Sequence, residues 1–160
     1  MCLAVVLEAL DIDYSYADLL GRLGRPFKDG FPISTLAEVS ESYGLNVRLV
    51  KTNFESLQLR RKRGERFACI CLIDDKHFLL CNDIQDDTAF VIDPPNTYER
   101  ERAAFEAMWA GHALLISNGT LVSEEELIGF KISWLSVWGA IAVSTIICMG
   151  TVYLLKKRLR

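Results

Sequence analysis

From Ile132 to Leu155 the chain runs for 24 residues without an Asp, Glu, Lys or Arg, and no other feature restricts its architecture as much. A helix rising about 1.5 Å per residue would carry that run roughly 36 Å, enough to cross a hydrocarbon core of about 30 Å with some tilt. Trp134 and Trp138 lie near one end and Tyr153 near the other, where interfacial aromatics belong, and Lys156, Lys157, Arg158 and Arg160 close the chain. A buried core helix is the competing reading; the length and the charged flanks favour a single-span C-terminal membrane anchor over residues 132–155 with a basic tail at 156–160. This leaves residues 1–117 for one folded domain and 118–131 for a linker too short to hold another. Gly139, Ala140, Ala142, Ser144 and Gly150 would give the span small faces suited to close packing, so partners within a membrane complex are expected alongside the lipid bilayer.

Sidedness stays open at this level. The basic tail favours the cytoplasmic side, which would place the domain outside, yet residues 1–20 carry no basic n-region and no small-residue cleavage pattern. Cys2, Cys69, Cys71, Cys81 and Cys148 are odd in number and follow no framework spacing, which suits reduced thiols better than disulfides. Asn118-Gly119-Thr120 is a glycosylation sequon that has meaning only in a secretory lumen.

Within the domain, Leu3, Val6, Leu7 and Leu10 recur at helical spacing. Ser15 is placed to cap a second helix, with Asp18 three residues on, Leu19, Leu20 and Leu23 on its apolar side and Gly24 as its stop. Ser34 is expected to cap a third helix running to Tyr43, followed by a strand, LNVRLV. A helix from about Asn53 ends in RRKRG, whose Arg60 to Arg63 read as a solvated, dipole-complementing end. A net charge of −3 and the lack of an aromatic stacking platform argue against nucleic acid there. FACICLI, KHFLLCND and TAFVIDPP read as strands, the last two as a hairpin, then YERERAAFEAMWAG as a helix and HALLIS as a final strand. Helices at the front and hairpins behind predict an α+β domain with a largely antiparallel sheet.

Chemistry concentrates in a few residues. His77 begins one hairpin strand and Asp93 ends its partner. A hairpin loop with an odd number of residues would set Asp93 near Leu79 and on the side of His77; an even loop would separate them. Joined to a thiol, such a pair would let the imidazole remove the thiol proton while the carboxylate holds the ring's tautomer. A lone histidine at a strand start is otherwise just a polar residue at a sheet edge. Cys69 and Cys71 alternate onto one face, with Cys81 on a neighbouring strand, and lack the spacing of a zinc site, so core packing is expected. His112 has no evident acidic or thiol partner. No metal or cofactor is called for.

The ordered set CLAVVLEAL, IDYSYADLLGRLG, STLAEVSESYGLNVRLV, KHFLL and VIDPP resembles the double-glycine-leader, bacteriocin-processing cysteine peptidases over about residues 2–117. The resemblance implies a papain-like fold, N-terminal helices packed on an antiparallel sheet, with a peptide or protein substrate extended in a cleft between them. It implies that His77 is the family histidine and Asp93 the aspartate that orients it. The family's nucleophile lies in an Asp/Glu-Cys-Gly-x-Ala-Cys-Leu-Ala-Met pattern, and Cys2-Leu3-Ala4-Val5 matches its second, helix-interior cysteine. The first cysteine and the oxyanion-hole glutamine are therefore expected to be missing from this chain. Three readings of Cys2 stand: a small buried apolar residue; what remains of a longer helix entry; or an N-terminal nucleophile whose thiolate a helix N-terminus would favour. The functions that follow are a membrane-anchored peptidase-like domain acting on or binding double-glycine leaders, or an inactive peptide-binding or structural subunit of a membrane complex.

Overall fold

The computed structural model describes residues 2–123 other than Asp29, Asp75 and Lys76. The expected anchor, most of the linker and the basic tail fall outside the described residues; among those described, no helix is long and apolar enough to cross a membrane.

Three helices open the chain: α1 Cys2–Ala9, α2 Tyr16–Leu23 and α3 Ile33–Ser42. The first buries Leu3, Ala4, Val6 and Leu7, and Asp11 ends it at φ 57, a left-handed position that Asp tolerates better than most residues. Ser15 caps α2 by accepting from Asp18 N–H, and Gly24 stops it at φ 69, as its sequence predicts. Helix α3 departs from expectation by starting ahead of Ser34. Its cap is Pro32, whose carbonyl accepts from the N–H groups of Thr35 and Leu36 with no side-chain cap. Strand β1 (Asn46–Lys51) follows, then α4 (Phe54–Lys62), capped by Asn53 accepting from Ser56 N–H at 2.9 Å.

The remaining strands are β2 Ala68–Ile73, β3 His77–Gln85, β4 Thr88–Asp93, β5 Asn96–Glu101 and, after α5 (Arg102–Met108), β6 Trp109–Ser117. They form one six-stranded sheet in the order β1-β6-β2-β3-β4-β5, and every neighbouring pair is antiparallel. Residues alternate along β2 between two cores. Ala68 and Ile70 join Leu3, Leu7, Leu36 and Val39 from the first three helices, while Cys69, Cys71 and Ile73 join Phe54 and Leu57 of α4 and Phe105 of α5. With helices over both faces the strand has no polar side, which is why FACICLI is apolar throughout rather than alternating.

Two expectations fail here. The YERE of YERERAAFEAMWAG is strand, not helix: Tyr98 pairs with Val91 and Glu101 with Thr88. Its Glu, Arg and Glu residues suit an edge strand, where charge discourages further pairing, and tertiary pairing overrides their helical propensity. The end of α4 is not simply solvated. Arg60 is fully buried, 3.0 Å from the carboxylate of Glu65, and Arg61 lies over the Phe67 ring at 4.2 Å. Their apolar stems let these side chains cover the core while the charged ends find oxygen partners.

Candidate functional site

His77 and Asp93 meet. The ring Nε2 lies 2.9 Å from Asp93 Oδ1, and because a carboxylate only accepts, Nε2 carries the proton, which in the neutral ring leaves Nδ1 as an acceptor. No other hydrogen bond to the ring occurs among the described residues.

The route to that contact differs from the expected one. The turn between β3 and β4 is two residues long, Asp86-Asp87, since Gln85 pairs with Thr88. That even count alone would separate the pair. The ladder slips by one between Cys81 and Asp83, so Asp83 faces Phe90 whereas Cys81 faces Val91. Asn82 is the extra residue of a β-bulge, which restores the odd offset the pair needs. Leu80 then faces Ile92, and the same register continued sets Asp93 opposite Leu79, two residues from His77.

The pair opens on a cavity of about 390 Å³ between the first three helices and the end of the β3–β4 hairpin. Its walls are chiefly apolar, including Leu3 of α1, Leu19, Leu20 and Leu23 of α2, Phe31, Leu36 and Phe78; His77, Asp93, Cys2 and Tyr16 are its ionisable members. Arg22 and Tyr43 brace α2 against α3, with Tyr43 O–H donating to Asp18 at 2.7 Å and the guanidinium over the Tyr43 ring at 4.4 Å. Tyr16 and Leu20 are about half exposed, at 51% and 47%. Sequence patterning alone does not mark Tyr16, Leu20 and Leu23 as part of a site. Their spacing of four and then three residues is the available signal, an apolar stripe wider than Leu19 alone needs to anchor the helix.

Cys2 lines the same cavity, but its thiol donates to the carbonyl of Phe78 at 3.4 Å. Burial pushes its pKa above the ordinary thiol value, and the negative charge of Asp93 adds to that. This is the reverse of the thiolate stabilisation a helix N-terminus alone would give; desolvation wins because the sulfur is packed beneath the hairpin. Iodoacetamide should therefore alkylate Cys2 more slowly at pH 7 than an unperturbed cysteine, with the rate still climbing above the usual thiol range. Fast labelling at pH 7 would contradict this placement. Cys69, Cys71 and Cys81 are buried in the core shared with α4 and α5, where burial raises the pKa of Cys71 and Cys81 well above normal. His112 is exposed on β6 and remote from the cavity lining.

Residues 1–120 match the profile of the peptidase C39 family. The chain belongs to the peptidase C39 family. Solved structures carry the same fold. One is a double glycine motif protease from an AMS/PCAT transporter, in complex with the leader peptide: 21% identical, TM-score 0.61, covering 72% of this chain and 79% of that one. A second is the peptidase domain of Streptococcus ComA, a bi-functional ABC transporter in a quorum sensing pathway: 18% identical, TM-score 0.62, covering 74% and 88%. A third is the N-terminal peptidase C39 like domain of the toxin secretion ATP-binding protein from Vibrio parahaemolyticus: 18% identical, TM-score 0.55, covering 73% and 93%. Among curated proteins none matches. This C39 domain is thus α+β with an antiparallel sheet, like the solved peptidase domains it resembles.

Proposed function

We propose that this C39 domain binds leader peptides of the double-glycine type in the cavity beside His77 and Asp93, and that residues 132–155 hold it at a membrane. The observation that carries the reading is the 2.9 Å His77–Asp93 contact facing an apolar cavity. An extended peptide supplies apolar side chains for Leu20, Leu23 and Phe31, and a pair of glycines allows the backbone to pass close to the imidazole without a Cβ in the way. A relative solved with its leader peptide supports that choice of ligand.

Hydrolysis needs a sulfur within reach of Nδ1. Cys2 gives its thiol to Phe78 and is held in the neutral form, so the reading for this 160-residue chain is binding without cleavage by Cys2. His77 and Asp93 would act as base and orienting carboxylate toward a thiol presented at Nδ1. The test is fluorescence anisotropy with a labelled synthetic leader ending in Gly-Gly, followed by mass spectrometry of the mixture. Saturable binding is expected, with intact peptide recovered. Leu20→Asp, at a half-exposed position the fold tolerates, should weaken binding about tenfold or more, because a carboxylate would be desolvated against the peptide. No binding, or binding indifferent to Leu20→Asp, contradicts the reading. Cleavage abolished by Cys2→Ala would instead make Cys2 the nucleophile. The anchor is supported by its length, lack of charge and aromatic ends. The chain should stay in the membrane pellet on alkaline carbonate extraction; release into the supernatant would contradict tethering.

A further inference from the structure

We infer that Arg61 is a positioning residue for the His77–Asp93 pair, acting through the bulge at Asn82. The inference rests on the reading of that pair as the working groups of the site.

An unbroken ladder from the Asp86-Asp87 turn would set Asn82 against Val91 and Leu80 against Asp93, one residue out of the observed register. The slip at Asn82 is thus what allows Asp93 to reach His77. A bulge leaves backbone groups without ladder partners, and its persistence depends on what satisfies them. Here the Asn82 carbonyl accepts from Arg61 Nη2 at 2.7 Å. Arg61 is fixed in turn by the Phe67 ring beneath it and by Asp83 Oδ1, 3.7 Å from Nε. Asp83 closes the other side of the bulge, accepting from Ile84 N–H at 2.8 Å and from Gln85 Nε2 at 2.9 Å. One turn earlier on α4, Gln58 donates to the Asp86 carbonyl at 2.7 Å. Helix α4 therefore grips the hairpin at its turn and at its bulge, on the sheet face opposite α1. The planar fork of arginine can stack on Phe67 and donate sideways at once, which Lys cannot do equally well.

The protein has only two histidines, His77 and His112, so the ring resonances of the full chain with ¹⁵N-labelled histidine can be assigned by one substitution. Wild type should show His77 as the Nε2–H tautomer with a protected ring proton, and exposed His112 without one. Asp93→Ala gives the reference for a His77 without its carboxylate. Arg61→Ala should speed exchange of the ring proton about tenfold, in keeping with a loosened charge-assisted hydrogen bond, whereas deleting Asn82 as well should restore the protection, because the shortened strand keeps Leu79 opposite Asp93 with no bulge to hold. Arg61→Lys, which keeps the charge but loses the flat stacking fork, should fall between wild type and Arg61→Ala. His112 should not change in any of these variants. Phe105→Ala, which weakens the same core without touching the bulge, should leave the His77 signature intact and separates positioning from general destabilisation. Should Arg61→Ala fail to fold, Arg61→Gln with and without the Asn82 deletion decides the matter. An unchanged His77 signature in folded Arg61→Ala or Arg61→Gln, or a loss that the Asn82 deletion does not reverse, would overturn the inference. Loss of leader binding in wild type would overturn the functional reading alone, since the histidine signature is measured without peptide.

Discussion

Truncating Phe105 to Ala is expected to cost about 3–5 kcal/mol of folding stability, in the range of large aromatic-to-alanine changes in cores. The ring is fully buried, edge-on to Phe54 at 6.3 Å between centroids and tilted against Trp109 at 5.1 Å. It joins α5, α4 and the start of β6 at one point. Neither α4 nor α5 is long, at nine and seven residues, so each depends on this packing more than on its own propensity. Urea unfolding monitored by tryptophan fluorescence measures the loss. A change below about 1 kcal/mol would mean that this second core is not the packed unit described. Molecules still folded should bind leader peptide normally, because the cavity lies on the other face.

Replacing Gly111 by Ala is expected to cost about 2–4 kcal/mol, and for backbone reasons. Gly111 has φ +86, where a side chain is strained, and an added Cβ would lie 2.6 Å from the Thr52 carbonyl oxygen. That oxygen cannot swing aside, because Thr52 is itself tied to β6 by its N–H to the Gly111 carbonyl at 2.8 Å. Thr52 immediately precedes Asn53, the cap of α4, so relief of the clash would move the helix that grips the β3–β4 hairpin. The same unfolding experiment reads the loss, and Gly111→Ala matching wild type would show that the close approach does not exist.

Where local chemistry decides structure, the sequence was sufficient. Ser15 as a cap, Gly24 as a stop and the FACICLI run as a strand follow from short-range signals. The meeting of His77 with Asp93 does not: loop length left their register open, and a bulge rather than an odd loop supplies the offset. What escaped depends on distant neighbours. Asn82 carries no local mark of a bulge, since its carbonyl is satisfied by Arg61, twenty-one residues earlier. The strand at Asn96–Glu101 exists because β4 offers an edge to residues that alone would favour helix. Arg60 looks solvated in a run of basic residues until Glu65 folds back to meet it at 3.0 Å. The exposed Tyr16 and Leu20 match ordinary helix amphipathicity in the sequence, because their excess over the core is visible only once Leu19 is seen to anchor the helix.

A double-glycine leader is expected to lie against His77 and Asp93. A leader peptide carrying a photoreactive group beside its glycine pair tests this directly when crosslinked to the full chain and mapped by mass spectrometry. The crosslinks are expected on the cavity lining around Cys2, Phe31, His77 and Pro94, and should disappear with excess unlabelled leader. Crosslinks confined to α4, α5 or β1, or none that compete, would contradict it.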